Sequence, residues 1–109
     1  MIIIKKDKAT KDDIKKMLED YTYYIKVVVD IENEILAGGG ELHVDAEQLL
    51  IEDGSKQENL WGGGIEWESK KIDYDSIINL RPQVQNPSRE ILDSTIREQF
   101  DTIVKKILL

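Results

Sequence analysis

The sequence predicts an α+β fold, a mostly antiparallel sheet with an N-terminal helix and a long C-terminal helix packed on one face. Three observations carry this. Apolar residues recur at helical spacing near both ends of the chain, and short β-branched runs fill the middle. The resulting order, β-α-ββ-β-(α)-ββ-α, keeps the strands next to each other and so favours hairpin pairing over parallel crossovers.

The first element, Ile2-Ile3-Ile4, is a β-branched run ended by charge and reads as a buried opening strand. Thr10 then caps a helix whose first turn carries Asp12 and Asp13, acids that meet the positive helix end. Ile14, Met17, Leu18 and Tyr21 share one face of that helix, placed at residues 11–20. From Tyr23 to Ala37 the chain is rich in Val, Ile and Tyr around the polar knot Glu32-Asn33-Glu34, which predicts a hairpin. Gly38-Gly39-Gly40 breaks it. Glu41 to Val44 alternates polar with apolar, the pattern of a half-buried strand, and Asp45 to Gln48 opens a short helix that Gly54 ends, with Leu49-Leu50-Ile51 as a strand the alternative.

Ile65 and Trp67 pair by pattern with Ile72, Tyr74, Ile78 and Leu80 across Glu68-Ser69-Lys70-Lys71, a second antiparallel hairpin that Pro82 terminates. Asn86-Pro87 supplies a cap and first-turn pair for the last helix. Its apolar face is Leu92, Ile96, Phe100, Ile103 and Ile107. Ile14, Leu18, Val27, Val29, Ile78, Leu80, Ile96, Phe100 and Ile103 are expected to form one contiguous core.

At 109 residues, with 40% hydrophobic and 34% charged residues, the chain has the size and composition of a single folded domain spanning 1–109. The absence of cysteine removes disulfides, thiolate nucleophiles and Cys-ligated metal sites. No segment has the roughly 20 apolar residues needed to span a bilayer, and the opening apolar run is too short for a signal peptide, so a cytoplasmic protein is expected. A net charge of −7 without a basic, aromatic-studded stripe argues against nucleic acid and membrane surfaces as partners. Twelve lysines against three arginines, with sixteen isoleucines, fit an AT-rich or thermophilic prokaryotic source.

The charge is concentrated. Asp30 to Glu68 holds eleven of the 22 carboxylates and one lysine, Lys56, a formal charge of −10. Within this stretch Glu41, His43 and Asp45, two apart on the expected strand, would project to one side. Imidazole with carboxylates suits a divalent metal ion, and Asp30, Glu32 or Glu34 would complete the set. The bland alternative is the solvated face of a half-buried strand. Arg81, Asn86 and Arg89, around the start of the last helix, form a second candidate, for a small anionic ligand. Its alternative is arginine paired with structural carboxylates, which suits so acidic a chain. Gly62-Gly63-Gly64 beside Trp61 reads as a hairpin bend or a pocket wall. Neither glycine triplet has a nucleotide-loop arrangement, and no serine sits in an elbow motif.

The segments Val28-Val29-Asp30-Ile31-Glu32, Gly39 to Glu47, Glu52 to Gly62 and Ile78-Asn79-Leu80-Arg81-Pro82 together resemble a small prokaryotic family catalogued only as a domain of unknown function, over the chain from about Ile25 to its end. That resemblance implies a short cytosolic single-domain protein and carries no reaction, cofactor or catalytic residue. The residues themselves give two readings. One is a binding or interaction domain that self-associates, through strand edges or the face around Trp61 and Trp67, as a homo-oligomer. The other is a small metal-dependent enzyme with Glu41, His43 and Asp45 at the cation and Arg81 or Arg89 on an anionic substrate.

Overall fold

The computed structural model describes residues 1–109. Five strands form one sheet: β1 (Ile3–Lys5), β2 (Tyr24–Asp30), β3 (Ile35–Gly38), β4 (Leu60–Glu66) and β5 (Lys71–Asp73), in the order β1-β3-β2-β4-β5. Every pairing is antiparallel, with β2 and β4 in register from Tyr24 opposite Glu66 to Asp30 opposite Leu60. β1 is an edge strand and only half-buried, where a buried strand was expected.

Helix α1 (Lys11–Met17) opens on the expected cap. Thr10 Oγ1 accepts from the Asp13 N–H at 3.1 Å, and the Asp13 carboxylate accepts from the Thr10 N–H at 2.9 Å. α3 (Ser94–Leu108) lies on the same face and buries Phe100, Ile103, Val104, Ile107 and Leu108. At about 1.5–3 kcal/mol per buried side chain, this packing outweighs the roughly 1 kcal/mol of its Asp93 cap. The helix begins at Ser94, later than Asn86-Pro87 suggested, and Leu92 is left exposed.

The β2–β3 turn is organised by Asp30, which is fully buried. Its carboxylate accepts from the Glu32 and Asn33 N–H groups, each at 3.0 Å, from Asn33 Nδ2 at 2.8 Å and from Ser55 Oγ at 2.6 Å. Burial alone would raise its pKa, but these hydrogen bonds, led by Ser55 and Asn33, together hold it below the ordinary carboxylate value.

The sheet is covered on both faces. α1 and α3 share one face over Ile25, Val27, Val29, Trp61 and Ile65. The opposite face, with Val28, Ala37 and Leu60, is covered by α2 (His43–Glu52) through Ala46 and Leu50, and by Ile78. The expected single core is therefore two clusters divided by the sheet, and Ile78 belongs to the second. Leu80, expected inside, is 46% exposed.

The glycines of β4 are strand residues and not a hairpin bend. A Cβ on Gly62 would meet Ser76 Cβ at 2.6 Å, one on Gly63 the Phe100 ring at 2.8 Å, and one on Gly64 the Tyr24 hydroxyl. Each missing side chain is thus replaced by a group from a different element. No helix is long and apolar enough to cross a membrane.

Candidate functional site

Between β5 and α3 the chain runs as irregular backbone with two 3-10 turns, Ile77–Asn79 and Pro82–Val84. The second strand expected to reach Leu80 stops at Asp73. Backbone without a ladder must find its hydrogen bonds elsewhere, and here side chains supply them. Asn79, fully buried, accepts from the Gly62 N–H at 2.8 Å and donates to the carbonyls of Gly62 at 2.8 Å, Tyr74 at 3.0 Å and Arg89 at 3.0 Å. Asn86 donates to the carbonyls of Asn79, Ser88 and Glu90 and accepts from the Leu92 N–H. Arg81 and Asn86 close a backbone bridge, and Gln85, with φ of 60°, turns the chain between them.

This segment and α2 enclose a groove of about 510 Å³. Its apolar lining includes Val44 from α2 and Ile77, Leu80 and Val84 from the irregular segment, each between 44% and 53% exposed. Val84 also borders a smaller depression of about 250 Å³ with Trp61, Leu92 and Ile96, so the apolar strip continues toward α3. Glu47 on α2 and Glu58 just before β4 line the groove as well.

Arg81 lines the same groove and is only 7% exposed. Its Nε donates to the Ile78 carbonyl at 3.0 Å, its Nη1 to the Glu58 carbonyl at 3.4 Å and its Nη2 to the Leu60 carbonyl. The guanidinium carbon lies 4.5 Å from the centre of the Trp61 ring. Burial pulls its pKa below the ordinary value, and the charge of Glu47 opposes that. A guanidinium has five N–H groups and stays protonated, so Arg81 is a buried cation turned mainly toward backbone carbonyls.

The sequence-predicted anion site is only partly assembled. Arg81 and Asn86 adjoin, but the Asn86 carboxamide is committed to backbone groups. Arg89 is exposed and pairs with Asp75 at 3.3 Å. It also lies ahead of α3, which is capped by Asp93, and not in the first turn of that helix.

The predicted metal set is dispersed. Glu41 to Val44 is not a strand: Leu42 is the extended residue preceding α2, and His43 is the first residue of the helix. Residues two apart lie on opposite sides of a helix, so His43 and Asp45 do not share a face. Glu41 is exposed, and its carbonyl accepts from Lys26 Nζ at 2.6 Å. His43 Nε2 lies 2.6 Å from the Gly63 carbonyl. A carbonyl only accepts, so this nitrogen carries a proton and is closed to a metal. Burial lowers the His43 pKa, with the Gly63 carbonyl acting against it. Asp30 spends its oxygens on the β2–β3 turn, while Glu32 and Glu34 are exposed. No group of three or more His, Asp or Glu side chains is arranged to hold a metal ion.

The apolar strip is what sequence reasoning missed. One signal was present, because adjacent Ile77 and Ile78 cannot both point inward from one short segment, and it is Ile78 that is buried. Among known proteins, no curated protein and no solved structure matches this chain. Residues 2–107 do match the profile of the family described as protein of unknown function (DUF5674), and with nearly the whole chain covered the protein belongs to that family.

Proposed function

We propose that this protein is a small binding domain and that the groove between α2 and the irregular segment is where its partner docks. The observation that carries this reading is the grouping of Val44, Ile77, Leu80 and Val84, four half-exposed apolar side chains, around one concavity. An exposed apolar surface held in fixed shape is the common signature of a docking site. The buried network of Asn79, Asn86 and Arg81 fixes that shape. The polar side chains of the lining are Glu47, Gln57, Glu58, Arg81 and Gln83, which ring the apolar residues with groups able to orient a partner.

Other surfaces are less suited to association. The edge strands β1 and β5 have three residues each and carry Lys5, Lys71 and Asp73, which blunt edge pairing. Trp61 is buried and Trp67 is capped by Lys70 Nζ, 3.3 Å from its ring centre.

Because the chain lacks cysteine, a photo-crosslinker attached at Leu80→Cys reports on the groove alone. In cells that make the protein, a discrete crosslinked species is expected from this position, absent from Glu98→Cys on α3 and lost when Val84→Asp is added. Equal capture from both positions, or none from Leu80→Cys, overturns the reading.

A further inference from the structure

Resting on the groove as a docking surface, we infer that its occupant is a segment of a partner protein carrying two or three apolar side chains flanked by Lys or Arg. The argument is one of charge and shape together. The apolar lining asks for aliphatic or aromatic side chains. The two walls each present a carboxylate, Glu47 from α2 and Glu58 from the turn before β4. α2 carries Asp45, Glu47 and Glu52 and no Lys or Arg, so the helix that forms this wall is acidic. The one cation of the groove, Arg81, is 7% exposed and donates to three carbonyls, so its N–H groups are directed mainly into the protein.

A partner segment with basic flanks would therefore meet opposite charge on both sides of its apolar contacts. A second copy of this chain fits less well. An isologous pairing about this groove would bring Glu47 and Glu58 of one copy toward the same residues of the other. An acidic segment would meet the same repulsion, and specificity against it follows from the same two carboxylates.

Two labelled 12-residue peptides, one built of Leu and Lys with Leu at positions i, i+3, i+4 and i+7, the other with Glu in place of Lys, test this by fluorescence anisotropy. The Leu/Lys peptide is expected to bind at least ~10-fold more tightly than the Leu/Glu peptide, and to weaken as salt rises past the point where charges are screened. Glu47→Gln with Glu58→Gln should weaken it by about 5-fold, the order expected from losing two exposed ion pairs. Glu32→Gln with Glu98→Gln, an equal change in charge away from the groove, should leave it within about 2-fold. Ile77→Ser with Leu80→Ser should abolish binding, and circular dichroism confirms that each variant is folded.

If the two Glu→Gln pairs weaken binding equally, attraction is to net charge and the inference falls. If both peptides bind alike and lose affinity with Ile77→Ser and Leu80→Ser, the groove docks partners without regard to charge: the inference falls and the docking reading stands. A dimer in light scattering that the same serine pair dissociates makes a second copy the occupant, with the same consequence. If neither peptide binds and the protein is monomeric, the inference and the docking reading fail together.

Discussion

Asn79 sits beside Gly62 as a one-residue substitute for a sheet strand. Its carboxamide accepts from the glycine N–H and donates to the glycine C=O, both at 2.8 Å, the two bonds a neighbouring strand would make. The missing side chain of Gly62 admits a second neighbour, because Ser76 occupies the space a Cβ would need. Asn79→Ala would leave the Gly62 N–H and C=O without a partner, while the Tyr74 and Arg89 carbonyls keep the N–H groups of Ile91 and Ser76. At about 1–3 kcal/mol for each of the two groups left unsatisfied, a loss of about 2–6 kcal/mol is expected, read from urea unfolding. A loss under ~1 kcal/mol would show that water replaces the amide.

Gly63 and Phe100 are coupled in the other cluster. A methyl at Gly63 would lie 2.8 Å from the Phe100 ring and even nearer the Asp73 carbonyl. Gly63→Ala is therefore expected to destabilise by about 1–3 kcal/mol. Combining it with Phe100→Leu should fail to restore stability, because the backbone of Asp73 cannot yield. Phe100→Ala alone should cost about 3–5 kcal/mol in the same assay, as expected for a fully buried ring.

Acid should unfold the protein in part through Asp30. Its folded pKa lies below the 3.8 of a free aspartate, so the folded state binds the proton less readily than the unfolded chain. The stability this provides is complete above about pH 4 and is lost as pH falls through the lowered folded value. Urea midpoints at pH 7 and pH 3 should show the loss. Asp30→Asn should be less stable at pH 7 and show a shallower acid dependence.

His43, the only histidine, gives one readable imidazole signal by NMR. Its midpoint is expected below 6.5, since burial disfavours the imidazolium. The unfolded chain then takes up a proton first, so this contribution is present above about pH 6.5 and declines as pH falls toward the folded value. Zinc should leave the signal in place, because Nε2 is engaged with Gly63 and no set of carboxylates converges with it.

In the groove, Ile77→Ser and Leu80→Ser should change folding stability by no more than about 0.5 kcal/mol each, since both side chains are about half exposed and lie outside the two core clusters. A larger loss in urea unfolding would mean that these residues serve the core after all.

What could be read from the sequence was what periodicity encodes. Phe100, Ile103 and Ile107 follow helical spacing and do face the sheet, and Thr10 with Asp13 makes its cap from neighbours in the chain. The knot Glu32-Asn33-Glu34 announced the β2–β3 turn, although the buried Asp30 and distant Ser55 that hold it did not show. The segment from Ser76 to Leu92 was misread because its order comes from Asn79 and Arg81 reaching distant carbonyls and from Asn86 tying its own loop together, which leaves no period in the sequence. Residues 41–45 alternate like a strand, yet they enter a helix that begins without a side-chain cap, so the metal set was drawn on the wrong geometry.

The glycine run of β4 bears on where in the molecule a substitution is felt. Three consecutive positions are each occupied sterically by a neighbour from another element, Ser76, Phe100 and Tyr24, so a substitution at any of them disturbs a separate region of the molecule. A side chain has no room there. Further along the chain, the groove-lining Ile77, Leu80 and Val84 are under no such restraint, each being about half exposed. A change in the β4 run is thus transmitted to three separate parts of the molecule, while a change at Ile77, Leu80 or Val84 stays at the surface of the groove.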